Sequence, residues 1–442
     1  MLDILGYVCY IIPMAHEIMF PDIEEYMAPY APFFRRLEGR EFAKCYVTGL
    51  MMEGERKSVE PMSERVHAPE RGMQRLLTEV KWDHAGVSRE YRRQMLAETS
   101  DPQGVLVADD TAFPKKGRHS VCVARQYCGA LGKVANCQVG VSLTYVGQEV
   151  AWPYTVDLYI PRSWDNFDDP DCVLMRKKTR MAETAHYREK WQIALEQIDL
   201  ARQEGVPHRA VVSDSWYGNN AEFRKGLADR GERYVVGVYS DTEVFLEPPV
   251  FVEPQPKRHG RGRPRKRPRP IETNPPPVKV STLGTKVAPE DWEHLELRRD
   301  SRGKPLVVEA VSRRVWPAQG YRKGVFHEEV WLIIERRPKG KGEFELRYHF
   351  SNLPQNMPTL EMVRLFHERF WIEQGYQQLK EELGLDHHEG RSWTGWHRHV
   401  LLVSLAFGYL TRLRLQEKKH LMQTIWERRL QPMATREKEN SY

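Results

Sequence analysis

Two short apolar runs, each ending in an aspartate, constrain this chain more than any other feature: Gly104-Val-Leu-Val-Ala-Asp109 and Arg209-Ala-Val-Val-Ser-Asp214. Neither run alternates with polar residues, so each reads as a strand buried on both faces. Each is followed at once by small or turn-forming residues, Thr111 and Pro114 in one case and Ser215 and Gly218 in the other. Strands of that kind belong to α/β sheets. A carboxylate at the C-terminal end of one lies on the rim where ligands bind. A third acid, Glu373, falls in a long helical pattern running from Glu361 to Lys380. Carboxylates converging in this way suit two Mg²⁺ ions, with Mn²⁺ as a substitute, which clamp the attacking and leaving oxygens of a phosphodiester.

The order of elements around these runs is that of a ribonuclease-H-like core. After the first strand come His119–Tyr127 and Asn136–Tyr145, separated by Gly129 and Gly132 and read as a meander. A helix is expected over roughly Lys178–Glu204, closed by Gly205. The Asp214 strand, a short helix near Asn220–Arg230 and the strand Arg233–Tyr239 complete the set. Residues from about Asp22 to Glu98 have helical spacing throughout, and Lys44–Lys57 and Arg89–Arg93 add basic side chains. β alternation returns over Leu295–Phe350, so residues 240–352 read as a β-rich insertion. The fold class is therefore α/β: a ribonuclease-H-like core with a β-rich insertion before the last catalytic helix, plus an N-terminal helical domain. The boundaries follow as 1–98 helical and DNA-contacting, 99–239 first part of the core, 240–352 linker and insertion, 353–417 core completion, and 418–442 a tail.

Length and composition fit this plan. A chain of 442 residues with 40% hydrophobic content, 12 Trp and 19 Tyr can bury two or three cores. Its net charge of +6 is unevenly spread. Eight basic residues and no acid lie between Lys257 and Arg269, leaving −2 for everything else. They sit in a Pro- and Arg-rich linker, Val250–Pro289, whose composition forms no packed core. Its centre, Gly260-Arg-Gly-Arg-Pro264, resembles an AT-hook, in which arginines such as Arg261 and Arg263 lie in a narrow minor groove. General phosphate binding comes first among its readings. None of the six cysteines forms a Cys-x-x-Cys pair, so free thiols in a reducing cytosol are expected. Met1–Met14 is apolar but broken by Asp3 and Pro13, short of the ~20 residues a membrane span needs, and reads as a packed or poorly ordered extension. Met19 is an equal candidate for the start. Nothing indicates secretion or a membrane partner.

The last helical pattern is the most specific. In Phe366-x-x-Arg369-x-x-x-Glu373-(6)-Lys380 the charges fall at i, i+4 and i+11, which at 100° per residue places all three within one stripe. Gly384 ends the pattern. On spacing alone an ordinary salt-bridged helix explains it as well. The pattern nevertheless resembles the Tyr-(2)-Arg-(3)-Glu-(6)-Lys signature of transposases of the insertion-sequence-4 group, with Phe366 where the family has Tyr. Two further stretches resemble insertion sequence family 701 within that group. One is Asp109–Gly117 continuing through Arg125-Gln-Tyr to Asn136-Cys-Gln138, and the other is Gly384–His399. The resemblance covers roughly Pro21 to Leu415. It implies a DDE transposase that cleaves DNA at transposon ends and transfers strands into a target. Asp109, Asp214 and Glu373 would be its catalytic and metal-binding acids, with Asp110 as alternative to Asp109, and Arg369 and Lys380 would lie on flanking phosphates. It further implies double-stranded DNA (inverted repeats and target) as partner, a homodimer in the active complex, and action in a prokaryotic cytoplasm at the nucleoid. Alternatives are a catalytically silent DNA-binding relative or a repair or restriction nuclease on the same fold.

Other candidates carry bland readings of equal weight. Lys115 and Lys116 either touch phosphate or line a solvated turn. Trp393 and Trp396 either stack on a splayed base or pack the core, and Trp292 is a weaker candidate for stacking. His387, His388 and Glu389 read as a loop or a satisfied polar cluster, since Mg²⁺ prefers oxygen ligands.

Overall fold

The computed structural model describes residues 20, 22–147, 150–252, 269–271, 274–299, 303–319, 328–340 and 343–430. The N-terminal apolar stretch and Met19, and the AT-hook-like centre with Arg261 and Arg263, lie outside the described residues. The protein is a mixed α/β molecule of two compact units. One comprises residues 1–99, 178–181 and 377–442, the other residues 100–177 and 182–376.

The first unit is helical. Its helices include Leu37–Met51, Glu70–Thr78, His84–Thr99 and the long Trp393–Leu430. Buried aromatics tie the two ends of the chain together: Tyr26 donates through its hydroxyl to the Leu405 carbonyl at 2.8 Å, and the Tyr46 hydroxyl meets His399 Nδ1 at 2.8 Å. Arg398 donates to the carbonyls of Leu76 and Leu77 while its guanidinium lies over Trp82. The boundary expected at residue 417 falls inside one unbroken helix. No Pro or Gly interrupts the chain between Tyr409 and Leu430 to stop it. Among the described residues no helix is long and apolar enough to cross a membrane.

The second unit is built on a sheet whose central strands are β1 (Val105–Pro114), β2 (Ala124–Cys128), β3 (Lys133–Gly147), β4 (Val150–Leu158), β5 (Ala210–Ser213) and β6 (Tyr234–Val238). β3 is antiparallel to β1, β2 and β4, while β5 runs parallel to both β1 and β6, giving the order β4-β3-β1-β5-β6. The meander differs from the expected one. Residues 119–123 form turns, leaving only the short β2, and the third long strand is β4, which no strand had been assigned to. Trp152-Pro153 conceals it, because proline lacks the N–H a ladder needs. The register of β3 against β4 shifts between Leu143 and Thr144, where β3 passes Pro153. Among the described strands β4 pairs with β3 alone.

Alternation along β1 sends its side chains to two helical layers. Val105 and Val107 join the core under the helices Thr359–His367 and Phe370–Gln377. Asp110 instead meets Lys190, the first residue of the helix Lys190–Gln203, whose Gln197 donates to the Val141 carbonyl of β3. The single helix expected over 178–204 is two helices, Pro170–Lys178 and Lys190–Gln203. Arg180 turns the chain with a φ of 52°, and a capping box between Glu189 and Gln192 starts the second helix.

The strands expected to form a β-rich insertion join this same sheet. Strands Glu293–Arg299, Pro305–Pro317, Val330–Gly340 and Glu343–Ser351 form an antiparallel series, and the last pairs with β6 through Phe350↔Val236 and Ser351↔Val235. The end of the expected linker is also structured. Val278–Lys279 pairs with Glu243–Phe245, and the short helix after it buries Val280 and Leu283 once the prolines at 275–277 are passed.

Candidate active site

The first two acids meet because of strand register. β1 does not end at Asp109 as its sequence suggested; it pairs with β3 as far as Pro114. What ends at this level is β5. Its parallel pairing with β1 stops at Ala108↔Ser213, so Asp109 and Asp214 are the next residues on neighbouring strands. Asp214 then caps the short helix Ser215–Gly218, its Oδ1 accepting from the N–H groups of Trp216 (3.0 Å) and Tyr217 (3.2 Å). Asp109 is 9% exposed, and its Oδ1 accepts from the N–H of Asp110.

Glu373 is linked to this pair through Arg369. Arg369 Nη2 lies 3.1 Å from Asp109 Oδ2, and its Nη1 lies 3.5 Å from Glu373 Oε1. The uninterrupted helix expected over 361–380 is therefore broken. Tight i to i−3 bonds at Glu368, Arg369, Trp371 and Ile372 separate Thr359–His367 from Phe370–Gln377, and this turn carries Arg369. From Gln378 to Glu382 the chain takes a π-helical turn containing Lys380. The 100° arithmetic that placed all three charges on one stripe fails across both irregularities.

Burial pushes the Asp109 carboxyl up to about 7; Arg369 opposes the shift, and Asp214 and Asp110 add to it. Asp214 is raised as well, by burial first, against the pull of Arg369. Adjacent carboxylates short of positive charge, offering only oxygen donors, fit a hard divalent cation. The third acid is not gathered with them. Among the described residues no three His, Cys, Asp or Glu side chains form a metal-holding group, and the Glu373 side chain is 62% exposed. Arg369 supplies the positive charge between the acids.

Several neighbours escaped sequence reasoning. Ser142, opposite Asp109 in the β1–β3 ladder, hydrogen-bonds the Tyr376 hydroxyl. Lys190 Nζ lies 2.6 Å from Asp110 Oδ2, so Asp110 has its own cation on the other face of β1. Trp216, directly after Asp214-Ser215, was the one visible signal, and composition alone gives it no role.

The remaining candidates are dispersed. Lys115 and Lys116 follow β1 in a bend held by Asn136, whose Nδ2 donates to the carbonyls of Lys115 and Gly117. Phe366 is buried against the ring of His349 at 3.8 Å. Trp292 is buried under Arg336, and Trp396 is 2% exposed in its unit's core. Trp393 begins the long helix, donating to the Thr179 carbonyl and packing on His397. His387 accepts from the Lys57 N–H, His388 stacks on His399, and Glu389 pairs with Arg56, so these three are parts of separate polar contacts.

A family model described as DDE superfamily endonuclease matches residues 29–304, more than half of the chain, a span holding both Asp109 and Asp214. The chain belongs to the DDE endonuclease superfamily. A probable transposase for insertion sequence element IS701 from Microchaete diplosiphon is 26% identical to this DDE endonuclease over 375 residues, covering 84% of this chain and 82% of the relative. The resemblance to DDE transposases of insertion sequence family 701 therefore holds, and with it transposase function and a DNA-cleaving enzyme.

The endonuclease fixes the Asp214 turn by a close backbone approach. A Cβ on Gly218 would lie 2.0 Å from the Gly237 carbonyl oxygen of β6 and 2.7 Å from Val236 Cβ. Gly218→Ala is expected to lower stability by roughly 1–3 kcal/mol, the usual cost of overpacking. It should also lower cleavage more than its stability loss explains, because the cap on Asp214 must shift. A variant with wild-type melting and cleavage would refute the close contact.

Proposed function

We propose that the protein is an insertion-sequence transposase with a ribonuclease-H-like core, cutting DNA at the ends of its element and joining the freed 3′ ends to target DNA. The observation that carries this reading is the parallel register that sets Asp109 beside Asp214, with Arg369 bridging Asp109 to Glu373. The order β4-β3-β1-β5-β6, with three antiparallel strands followed by two parallel ones, supports the fold assignment. Asp109, Asp214 and Glu373 would hold two Mg²⁺, for which Mn²⁺ would substitute; when bound they supply activation of the attacking oxygen and stabilisation of the leaving 3′-oxygen. Arg369 keeps the buried acids from repelling one another and is free to turn to a neighbouring phosphate once they are neutralised. Lys380, Lys115, Lys116, Trp393 and the basic linker with Arg261 and Arg263 are proposed DNA contacts. The partner is double-stranded DNA, both inverted repeats and target, engaged by a dimer in the cytoplasm at the nucleoid.

The test uses the purified protein and DNA carrying the inverted repeats that flank its gene, in Mg²⁺ or EDTA, with Glu373→Gln alongside. Nicking at the repeat ends and joined products, dependent on Mg²⁺ and lost in the variant while repeat binding persists, are the expected results. Glu373 is mostly exposed, so the substitution should leave the fold intact. Equal collapse of binding would make Glu373 structural. Binding without cleavage by the wild type would make the chain a DNA-binding relative.

A further inference from the structure

Arg224 has no part in the chemistry above, and its burial works against stability. It lies on the helix Ala221–Asp229 and is 0% exposed, one of the largest fully buried side chains of the protein. A buried guanidinium is normally paired with a carboxylate. Here Nη1 donates to the carbonyl of Gly218, the guanidinium faces the Phe350 ring at 5.3 Å, and Nε and Nη2 have no hydrogen-bond partner. The Tyr234 hydroxyl and the Glu222 carboxylate are near enough to act on its charge, but neither accepts from those two nitrogens. An arginine that only filled this site could be exchanged for an apolar side chain of similar volume without loss.

What its one bond holds is the turn of Asp214. That turn, Ser215–Gly218, opens with the Asp214 side chain accepting from Trp216 and Tyr217, and closes with the Gly218 N–H on the Asp214 carbonyl at 2.9 Å. Carbonyls at the end of a helical turn have no partner within it. Those of Ser215 and Tyr217 accept from the N–H groups of Asn219 and Asn220, and that of Gly218 accepts from Arg224. We propose that Arg224 is a positioning residue for Asp214, fixing the far end of the turn so that the Asp214 carboxylate stays beside Asp109 for a divalent cation. A turn free to shift would have to be ordered by the cation itself, at the expense of affinity. The buried charge is thus kept for the site and against the stability of the fold. This inference rests on reading Asp214 as a metal-binding acid.

The experiment titrates Mn²⁺ into the full-length protein and follows the free ion by electron paramagnetic resonance, with Asp214→Asn alongside. Arg224→Met fills the same space without a donor. It should weaken Mn²⁺ binding about ten-fold, within the range for losing a group that orients a metal ligand, and leave affinity for repeat DNA unchanged. The Mg²⁺ concentration for half-maximal cleavage should rise in step. Arg224→Lys, which keeps a cationic donor, should recover most of the loss. Arg224→Gln, neutral and ending short of the Gly218 carbonyl, takes the place of the methionine variant if that one does not fold, with the same loss expected. Lys225→Ala, at the next residue and paired with Asp229, should change nothing. Wild-type Mn²⁺ affinity in a folded Arg224→Met or Arg224→Gln, or a loss that Arg224→Lys does not recover, would overturn the positioning role alone. Mn²⁺ binding that Asp214→Asn leaves intact would overturn the reading of Asp214, and the positioning role with it.

Discussion

Asp109→Asn should abolish strand cleavage, by on the order of 10³-fold or more, the scale seen when a single transition-state contact is lost, while the protein melts no lower than the wild type. The two halves of this expectation share one cause. Asp109 is buried beside Asp214 with Asp110 adjacent, and Arg369 is the cation that faces it. Removing its charge relieves repulsion in the folded state, and Arg369 retains Glu373 as partner. Such a carboxylate is held in place at a cost to stability for the sake of chemistry. Single-turnover cleavage in Mg²⁺ and a thermal melt decide it. A clear fall in melting temperature with cleavage reduced only in proportion would make Asp109 a structural residue.

The largest effect on stability is expected at Glu335. This residue of the strand Val330–Gly340 is 0% exposed and pairs with Arg337, with His367 at 3.1 Å, and with His349 at 3.6 Å. It therefore links two strands to the helix Thr359–His367. Burial pushes its carboxyl up, but the imidazoles of His349 and His367 outweigh that and hold it well below the usual range. Glu335→Ala breaks this buried network by removing the carboxylate that Arg337, His349 and His367 share, and should cost roughly 3–5 kcal/mol, read as a lower melting temperature. The pH dependence has a definite sign. A depressed carboxyl stabilises above the ordinary Glu range, ~4.3, and that contribution fades as pH falls below it. Burial also depresses His349, so below ~6.5 the unfolded chain gains a proton that the folded one resists. The advantage of the wild type over Glu335→Ala should thus shrink below about pH 4, where the contribution of the depressed carboxyl is lost. A variant melting with the wild type at pH 7 would show that the network contributes nothing.

The buried strands carrying Asp109 and Asp214 were legible because parallel core strands are continuously apolar, and that pattern survives any tertiary context. The short helix after Asn220 was legible too, since its cap is local. What stayed hidden depends on partners distant in sequence. Where β1 meets the end of β5 is a matter of register, which no run of residues declares. Pro153 makes β4 look like a loop, yet an edge strand tolerates it. The sharpest miss was the helix expected over 361–380, whose apolar spacing is genuinely helical. There the ion pair of Arg369 with Asp109, 260 positions away, accompanies a turn that helical spacing would not have broken. Lys190 was invisible for the same reason, since its partner Asp110 is 80 positions away.

The pairing of Glu343–Ser351 with β6 bears on how such enzymes change over time. A module hung from a loop can be traded or lost without disturbing its host. Here the far end of the insertion covers the outer ladder of the strand next to β5. Deleting residues 240–352 would uncover a row of backbone donors and acceptors on β6, a template for pairing with other chains. The outer strands of the series are therefore freer to vary than Glu343–Ser351, which the edge of β6 needs as its cover.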